Sequence, residues 1–285
     1  MPDLFAIGAG YSVWDLLLVK ARAGHRVAAT SRSEQKVAEL NAAGIEGIPW
    51  TGGEPLNVPA ADAIIVAVPP NEDGCPVLAA LPSGALSGIR VLYLSSSGVY
   101  GDHDGAWIDE DTPCRPGTDR GRRRLRAERA WNERARDEGA TLVSCRLAGI
   151  YGPGRSAVDS LRGDTGGARA GLAQRVVKPE QVFNRIHRDD ITAGLDALWH
   201  AAAPPPVVNF ADDAPSPPQD VIAYAAALLG RPVPPAIPFE EAELSPMARS
   251  FYAENKRLRN DRLKAVRGPL RYPSYAEGLS AIAGA

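Results

Sequence analysis

The first half of the chain alternates short apolar runs with longer stretches of mixed polarity. One of the runs, residues 63–68, is apolar throughout, which is typical of a strand buried on both faces. Such alternation predicts an α/β fold, a Rossmann-type doubly wound parallel sheet with helices on both faces. The predicted strands cover residues 4–7, 25–30, 45–49, 63–68, 90–95 and 142–147, and the longest helix covers 119–138.

The pattern changes after Tyr151. A glycine-rich, weakly periodic stretch leads to a predicted helix over 191–203 and a strand over 207–210, and two more helices are predicted near 219–229 and 255–266. We expect the later part to form a small C-terminal substrate lobe at the carboxyl edge of the sheet, where open α/β sheets bind ligands. The predicted division assigns 1–152 with 186–212 to a dinucleotide-binding domain and 153–185 with 213–285 to the lobe.

A glycine-rich turn follows the first predicted strand and opens a helix. Gly8 would allow the tight turn, and Gly10 would let the backbone approach a pyrophosphate at the helix N-terminus. Tyr11 and Ser12, the next residues, complete the predicted phosphate contact. The third glycine of the usual fingerprint would fall at Val13, so the fingerprint is incomplete. The prediction of a dinucleotide-binding turn therefore depends on the position of the two glycines between a strand and a helix of a βαβ unit.

The end of the second predicted strand bears on the choice of cofactor. An acidic residue there would bind the ribose 2′-hydroxyl of NAD, but this chain has Ser31 and Arg32. A guanidinium can pair with a 2′-phosphate through forked hydrogen bonds, which favours NADP over NAD. The alternative is that Arg32 is an ordinary surface arginine in front of a helix N-cap.

Composition excludes several classes of protein. Lys and Arg number 32 and Asp and Glu 34, a net charge of −2, which argues against nucleic acid or a membrane surface as partner. The stretch 115–136 holds nine arginines against three acidic residues, and we expect a solvated helix face partly turned towards an anionic ligand. The three cysteines are widely spaced and predict neither disulfides nor a metal site. With no signal peptide recognised at the start, a cytoplasmic protein is expected.

Three further motifs carry a family resemblance. They read SSSGVYGD at 95–102, RLAGIYGPGR at 146–155 and FNRIHRDDI at 183–191. With the glycine-rich turn, they resemble the extended, atypical branch of the short-chain dehydrogenase/reductase superfamily, which is epimerase/dehydratase-like. The resemblance spans most of residues 4–230 and implies a nicotinamide cofactor.

The resemblance implies a catalytic role for Ser96, four residues before Tyr100, with Ser97 as the alternative if the register slips. The family's Tyr-x-x-x-Lys pair would fall at Arg120 and Arg124. Arg124 could still bind the nicotinamide ribose, but a guanidinium at Arg120 cannot exchange a proton near neutral pH. The usual general acid is therefore missing.

The resemblance leaves three candidates for the missing acid. They are Tyr100, which we include among the catalytic candidates, Tyr151 and His103. In the family, tyrosines at the positions of Tyr100 and Tyr151 mostly pack beneath the site. His103 lies on a loop at the ligand-binding edge. His187 and Asp190 match a family motif that mainly supports the fold.

These observations favour an NADP-binding oxidoreductase acting on a small, anionic molecule. A non-catalytic NAD(P)-binding sensor is the alternative, because the acid is missing. A sugar-nucleotide epimerase or dehydratase is a third possibility, and the absence of the tyrosine argues against it. The partner expected is a small-molecule substrate, and a homodimer remains open.

Overall fold

A seven-stranded parallel sheet forms the centre of the computed structural model, which describes residues 3–59, 61–163 and 174–284. Its strands, labelled in chain order, are β1 (Leu4–Ile7), β2 (Val27–Ser31), β3 (Glu46–Pro49), β4 (Ala63–Val66), β5 (Arg90–Ser96), β7 (Thr141–Leu147) and β11 (Val207–Phe210). Their order across the sheet is β11-β7-β5-β4-β1-β2-β3.

Ten helices are found in the described part of the chain. They are α1 (Trp14–Arg22), α2 (Glu34–Ala42), α3 (Pro76–Ala80), α4 (Asp119–Glu138), α5 (Ala157–Arg162), α6 (Arg188–His200), α7 (Pro218–Leu228), α8 (Pro246–Phe251), α9 (Asp261–Arg267) and α10 (Tyr275–Ala283). None of them, within the described residues, is long and apolar enough to cross a membrane.

Helices cover both faces of the sheet, as the alternation predicted. Successive side chains of a strand point to opposite faces, so Leu4 and Phe5 of β1 enter different cores. Leu4 packs in the core that contains Leu16 of α1, whereas Phe5 packs with Trp131 of α4. Both strand residues are fully buried, which confirms the doubly wound, Rossmann-type fold.

The direction of strand addition reverses between β1 and β4. The chain runs outwards from β1 through β2 to β3, then returns to β4 on the other side of β1. The two strands are paired in parallel from Leu4 with Ala63 to Ile7 with Val66. A crevice forms beyond the carboxyl ends of strands at such a reversal, and dinucleotides bind there. Gly8, which directly follows β1, therefore lies at the edge where a dinucleotide is expected to bind.

Three two-stranded parallel pairs lie outside the central sheet, and two of them join a later segment to one that precedes or directly follows a sheet strand. They consist of β6 (Trp107–Ile108) with β13 (Arg257–Leu258), β8 (Gly149–Tyr151) with β10 (Arg185–His187), and β9 (Arg175–Val177) with β12 (Ala236–Pro238). The predicted helix over 255–266 is wrong at its start, because β13 pairs there with a strand about 150 residues earlier, and α9 begins only at Asp261. Part of the predicted lobe, residues 164–173, lies outside the described residues. The domain division itself stays a prediction.

Candidate functional site

The turn after β1 has the geometry of a phosphate-binding loop. Gly8 has φ +98°, a left-handed conformation that glycine adopts without strain. Its N–H donates to Thr30 Oγ1 at 2.9 Å, which ties the turn to β2. A Cβ on Gly8 would come within 3.0 Å of Val68 Cγ2. The turn is thus held between the ends of β2 and β4, and Val68, which the sequence did not single out, forms its far wall.

Gly10 leaves space in front of the helix N-terminus. A Cβ on Gly10 would lie more than 4 Å from every heavy atom of the described neighbours, and its φ is not left-handed. Val13 at the N-cap of α1 is apolar and fully buried, so the position of the missing third glycine is part of the core. An open, exposed backbone at a helix N-terminus fits the pyrophosphate of a dinucleotide.

Tyr11 joins this turn to the segment after β8. Its hydroxyl donates to the carbonyl oxygen of Pro153 at 3.0 Å, and the Arg188 guanidinium lies 4.6 Å from the ring centroid. Burial raises the pKa of Tyr11, so the hydroxyl stays protonated. Ser12 is half-buried in the same turn. Both predicted residues therefore lie beside the crevice.

Ser31 and Arg32 end β2 at the same edge of the sheet. Ser31 Oγ accepts a hydrogen bond from the Ser33 N–H at 3.2 Å, and the Arg32 side chain is exposed. A second cation lies nearby in α2, where Lys36 Nζ is 3.3 Å from the centroid of the Trp14 ring. Lys36 is already paired with Glu39 Oε2 at 2.9 Å, so Arg32 is the cation at the strand end that we consider for a 2′-phosphate.

A cavity of about 430 Å³ lies beyond the end of β5. Its walls come from five parts of the chain, namely the turn after β5, the first turns of α4, the β7–β8 junction, and two segments of the C-terminal half. The lining residues used below are Ser96, Ser97, Arg120, Arg124, Arg185, Phe251, Glu254 and Lys256.

Ser96 occupies the last position of β5 and lines the cavity. Its Oγ accepts a hydrogen bond from the Gly98 N–H at 3.2 Å and so caps the 3₁₀ turn Ser97–Val99. Ser97 also lines the cavity, so the two hydroxyls considered from the sequence lie together. The preceding Ser95 differs, since its buried hydroxyl donates to Glu128 in the core.

Arg124 projects from α4 towards the end of β5. Its Nη1 donates to the hydroxyl of Tyr93 at 3.0 Å and to the carbonyl oxygen of Leu94 at 2.9 Å. These bonds fix the guanidinium at the cavity wall, where Arg124 is also a lining residue. The position suits a ligand hydroxyl or an anion.

Positive charge dominates the cavity wall. Arg120 is exposed, with its guanidinium 4.5 Å from the Phe251 ring centroid. Lys256 is 7% exposed in its side chain, and its Nζ donates to the Gly101 carbonyl oxygen and to Glu254 Oε2, each at 2.7 Å. Glu254 Oε1 is buried and has no hydrogen-bond partner among the described residues. The Lys256–Glu254 pair was missed because no local pattern marks it.

Tyr100 is poorly placed to be the missing acid. The residue is fully buried, and its hydroxyl donates to Asn209 Oδ1 at 2.8 Å inside the core. Burial raises the pKa of Tyr100 to about 12, although the Arg146 guanidinium beside the ring opposes this shift. We therefore assign Tyr100 no proton transfer to a bound substrate.

The other two candidate acids are also engaged. Tyr151 lines the cavity, but its hydroxyl donates to the Ser274 carbonyl oxygen at 3.2 Å, and burial raises its pKa far above the ordinary value. His103 Nε2 lies 3.2 Å from the carbonyl oxygen of Tyr100. Neither side chain is directed by these contacts towards Ser96.

His187 and Asp190 connect α6 to the C-terminal segment. His187 Nδ1 accepts a hydrogen bond from the Asp189 N–H at 3.1 Å, and its ring packs against Tyr272. The fully buried Asp190 accepts from the N–H groups of Arg271 and Tyr272 at 2.8 and 3.0 Å. These contacts agree with the structural role that the resemblance implied. Within the described ranges, no group of three or more His, Cys, Asp or Glu side chains could hold a metal ion.

Comparison with known proteins identifies relatives of this chain in fold and sequence. The NAD-dependent epimerase/dehydratase family model matches residues 74–183. A functionally unknown conserved protein from Silicibacter pomeroyi is 42% identical, with a TM-score of 0.83 over 100% of this chain and 99% of that one. No curated protein is significantly similar to this chain in sequence.

Two more distant structures share the fold. A human epimerase family protein, solved with NADPH, is 18% identical, with a TM-score of 0.74 over 99% of each chain. UDP-glucuronic acid 4-epimerase from Bacillus cereus, in complex with UDP-glucuronic acid and NAD, is 14% identical, with a TM-score of 0.74 over 99% of this chain and 98% of that one.

The fold and the motifs define an extended short-chain dehydrogenase/reductase of the atypical type. More particularly, the chain belongs to the NAD-dependent epimerase/dehydratase family.

Proposed function

We propose that this protein is an NADP-dependent oxidoreductase that acts on a small anionic molecule. The observation that carries the proposal is that Ser96 and Arg124 line one cavity at the end of β5. That strand neighbours β4, which borders the crevice at the point where the strand order reverses. A substrate held by Ser96 would thus lie next to a dinucleotide bound across β1 and β4.

The proposed roles follow from the chemistry of each side chain. When bound, the nicotinamide cofactor supplies hydride transfer at its C4 carbon. The Ser96 hydroxyl would hydrogen-bond the oxygen of the reacting carbon, and Arg124 would bind ribose hydroxyls or the substrate anion. Gly8, Gly10, Tyr11 and Ser12 would hold the pyrophosphate.

The charge balance of the cavity supports an anionic substrate. Arg120, Arg124 and Lys256 face a single carboxylate, that of Glu254, among the residues discussed above. Cations in a partly enclosed site attract anions more strongly than cations in water do. Arg32, exposed at the end of β2, supports NADP as the cofactor.

Reduction of a carbonyl also requires a proton. Arginine holds its proton near neutral pH, so Arg120 and Arg124 cannot supply one. The ammonium group of Lys256 lies in the cavity wall, and two of its three N–H groups are used by the Gly101 carbonyl oxygen and Glu254, which leaves one for a ligand. We propose that Lys256 donates the proton to the substrate oxygen and recovers one from solvent.

Turnover and cofactor titration together test this function. NADPH consumption would be measured over small oxo acids for the wild type, Ser96→Ala and Ser274→Ala. Ser274→Ala removes a helix-capping hydroxyl outside the cavity and serves as the control. We expect Ser96→Ala alone to lower kcat by roughly 10- to 1000-fold with unchanged NADPH affinity. A wild type that binds NADPH tightly and turns over no oxo acid would overturn the proposal.

One observation favours a non-catalytic NAD(P)-binding sensor as second candidate. Arg120 occupies the position of the family's acid. Its guanidinium lies over the Phe251 ring and does not release a proton near neutral pH. In a sensor, Ser96→Ala would leave both cofactor affinity and partner binding unchanged. The turnover measurement described above separates the two functions, because only the oxidoreductase would consume NADPH and lose that activity in Ser96→Ala.

A further inference from the structure

A second cavity, of about 580 Å³, adjoins the one that holds Ser96. Both volumes are in the range of small-molecule sites. The two cavities share six lining residues, so they have a common boundary. These are Gly149, Ile150, Tyr151, Phe183, Arg185 and Phe251.

Apolar side chains form most of the wall of the second cavity. Val176 and Val221 contribute from the sheet side and from α7. On the opposite side, Met247 and Phe251 of α8 line the cavity and are 65% and 50% exposed. Covering large apolar side chains that are exposed at a concave surface lowers the free energy, so these side chains favour the binding of a ligand. The wall is thus suited to an apolar ligand group.

The polar groups at the start of α5 do not change this character. Ser156 Oγ donates to Asp159 Oδ2 at 2.5 Å, and Ser160 Oγ donates to the Ser156 carbonyl oxygen at 2.9 Å. These hydroxyls are satisfied within the helix.

Most of the charged side chains lie at the other end of the combined cavity. Arg120, Arg124 and Lys256 line the first cavity only, and Arg185 lies on the shared boundary. Arg155 lines the second cavity, where its guanidinium lies 5.4 Å from the centroid of the Tyr11 ring. Phe251 separates the two regions, with Arg120 stacked on it. The site therefore has a cationic region beside Ser96 and, beyond it, a mainly apolar region to which Arg155 contributes one cation.

We infer that the substrate is an amphipathic carboxylate, with its anionic end beside Arg120 and its hydrocarbon body in the apolar cavity. The inference rests on the proposed function, because it names the substrate class of the same site. It assigns the apolar cavity to a hydrocarbon chain and not to the nucleotide of a sugar nucleotide.

Binding of a homologous series tests the inference without turnover. Acetate, hexanoate and decanoate would be titrated calorimetrically into the protein with saturating NADP. Each methylene buried in the cavity should tighten Kd by about three- to fourfold. Arg120→Gln should weaken all three acids by a similar factor and leave the increment per methylene unchanged.

A cavity-filling variant shows where the chain binds. Ala248 lines the apolar cavity from α8 and is partly exposed, so Ala248→Phe can fill the space without entering the core. Ala227→Phe makes the same change on the exposed face of α7 and is the matched control. We expect Ala248→Phe to weaken decanoate at least tenfold and acetate hardly at all, and Ala227→Phe to change neither.

Three results would overturn the inference. They are a Kd independent of chain length, decanoate binding that Ala248→Phe does not weaken, and UDP-glucose that displaces decanoate and binds more tightly. Failure of the proposed function is distinguishable. Length-dependent binding without NADPH consumption on the matching oxo acids would leave the binding site intact and reject the oxidoreductase. Turnover of pyruvate that does not improve with 2-oxodecanoate would reject only the hydrocarbon site.

Discussion

The guanidinium of Arg124 donates a hydrogen bond to the phenolic oxygen of Tyr93 at 3.0 Å. This cation lies beside a tyrosine, yet the pair cannot replace the family's Tyr-x-x-x-Lys dyad. Tyr93 is fully buried and stacked on Trp131, and burial raises its pKa to about 12 against the opposing charge of Arg124. The phenol therefore anchors Arg124 to β5 and remains neutral.

Lys256→Arg tests the proton donor. Arginine keeps the positive charge beside Glu254 but does not release a proton near neutral pH. We expect kcat to fall by about 100-fold or more, which is the scale of general acid catalysis, with NADPH affinity within twofold of the wild type. The measurement is steady-state reduction of an oxo acid beside a cofactor titration.

A control variant completes the test of Lys256. A Lys256→Arg protein with wild-type kcat would show that another group supplies the proton. Arg257→Lys, with its side chain on the neighbouring strand position outside the lining of the cavity, serves as the control.

Gly10→Val should abolish binding of NADP(H) and NAD(H) while the protein stays folded. The new side chain would project into the open space before α1 and keep a pyrophosphate from the backbone. Gly53→Val is the control, because Gly53 also has open space and an ordinary φ. Calorimetric titration and thermal unfolding check both proteins. A folded Gly10→Val protein that still binds cofactor would show that the turn is only structural.

Arg32→Ala should weaken NADP(H) by about 10- to 100-fold and leave NAD(H) nearly unchanged. The expected loss is that of charge-assisted hydrogen bonds to a 2′-phosphate. Arg22→Ala makes the same change of charge at the far end of α1 and should alter neither affinity. Equal affinities of the wild type for NADP and NAD would remove the basis for this assignment.

Local sequence pattern was sufficient for the sheet and for its ligand-binding edge. Strands β1 and β11 and helix α4 have the predicted bounds, because each is a short apolar run or a long helical segment ended by a glycine or turn. The predicted strand over 63–68 is two residues too long at its end, because β4 stops at Val66 and Val68 lies beside the Gly8 turn. The positions of Gly8 and Arg32 at strand ends followed directly from these patterns.

Most of the cavity could not be predicted in the same way. Its walls meet through tertiary pairings, such as Arg257 with Trp107, and through side-chain bonds such as Asn255 Nδ2 to the Glu180 carbonyl oxygen. Such pairings join segments that are far apart in sequence and leave no periodic signal. For this reason, local sequence pattern did not predict Lys256 or the apolar cavity as part of a site. The motif at 95–102 did single out Ser96, which lines the first cavity.

Asp212 gives the protein a pH-dependent stability. The carboxyl group is 1% exposed, its Oδ1 accepts from the Ala214 N–H at 3.2 Å, and its Oδ2 has no hydrogen-bond partner among the described residues. Burial raises its pKa from 3.8 to about 8. Folding therefore takes up a proton between these two values, and the free energy of unfolding falls as pH rises through that window.

Asp212→Asn should remove this loss of stability. The amide is nearly isosteric, its oxygen can keep the bond from Ala214, and it has no charge to bury. Because one unit of pKa shift corresponds to about 1.4 kcal/mol, the variant should gain up to about 1.4 kcal/mol over the wild type for each pH unit inside the window. Urea unfolding at pH 4, 6 and 8, which span the ordinary and raised pKa values, measures this gain.

Asp213→Asn changes the exposed neighbour, whose carboxylate pairs with Lys264, and should not reproduce the increase. A difference between Asp212→Asn and the wild type that stays constant with pH would mean that the carboxyl group is already ionised in the folded protein.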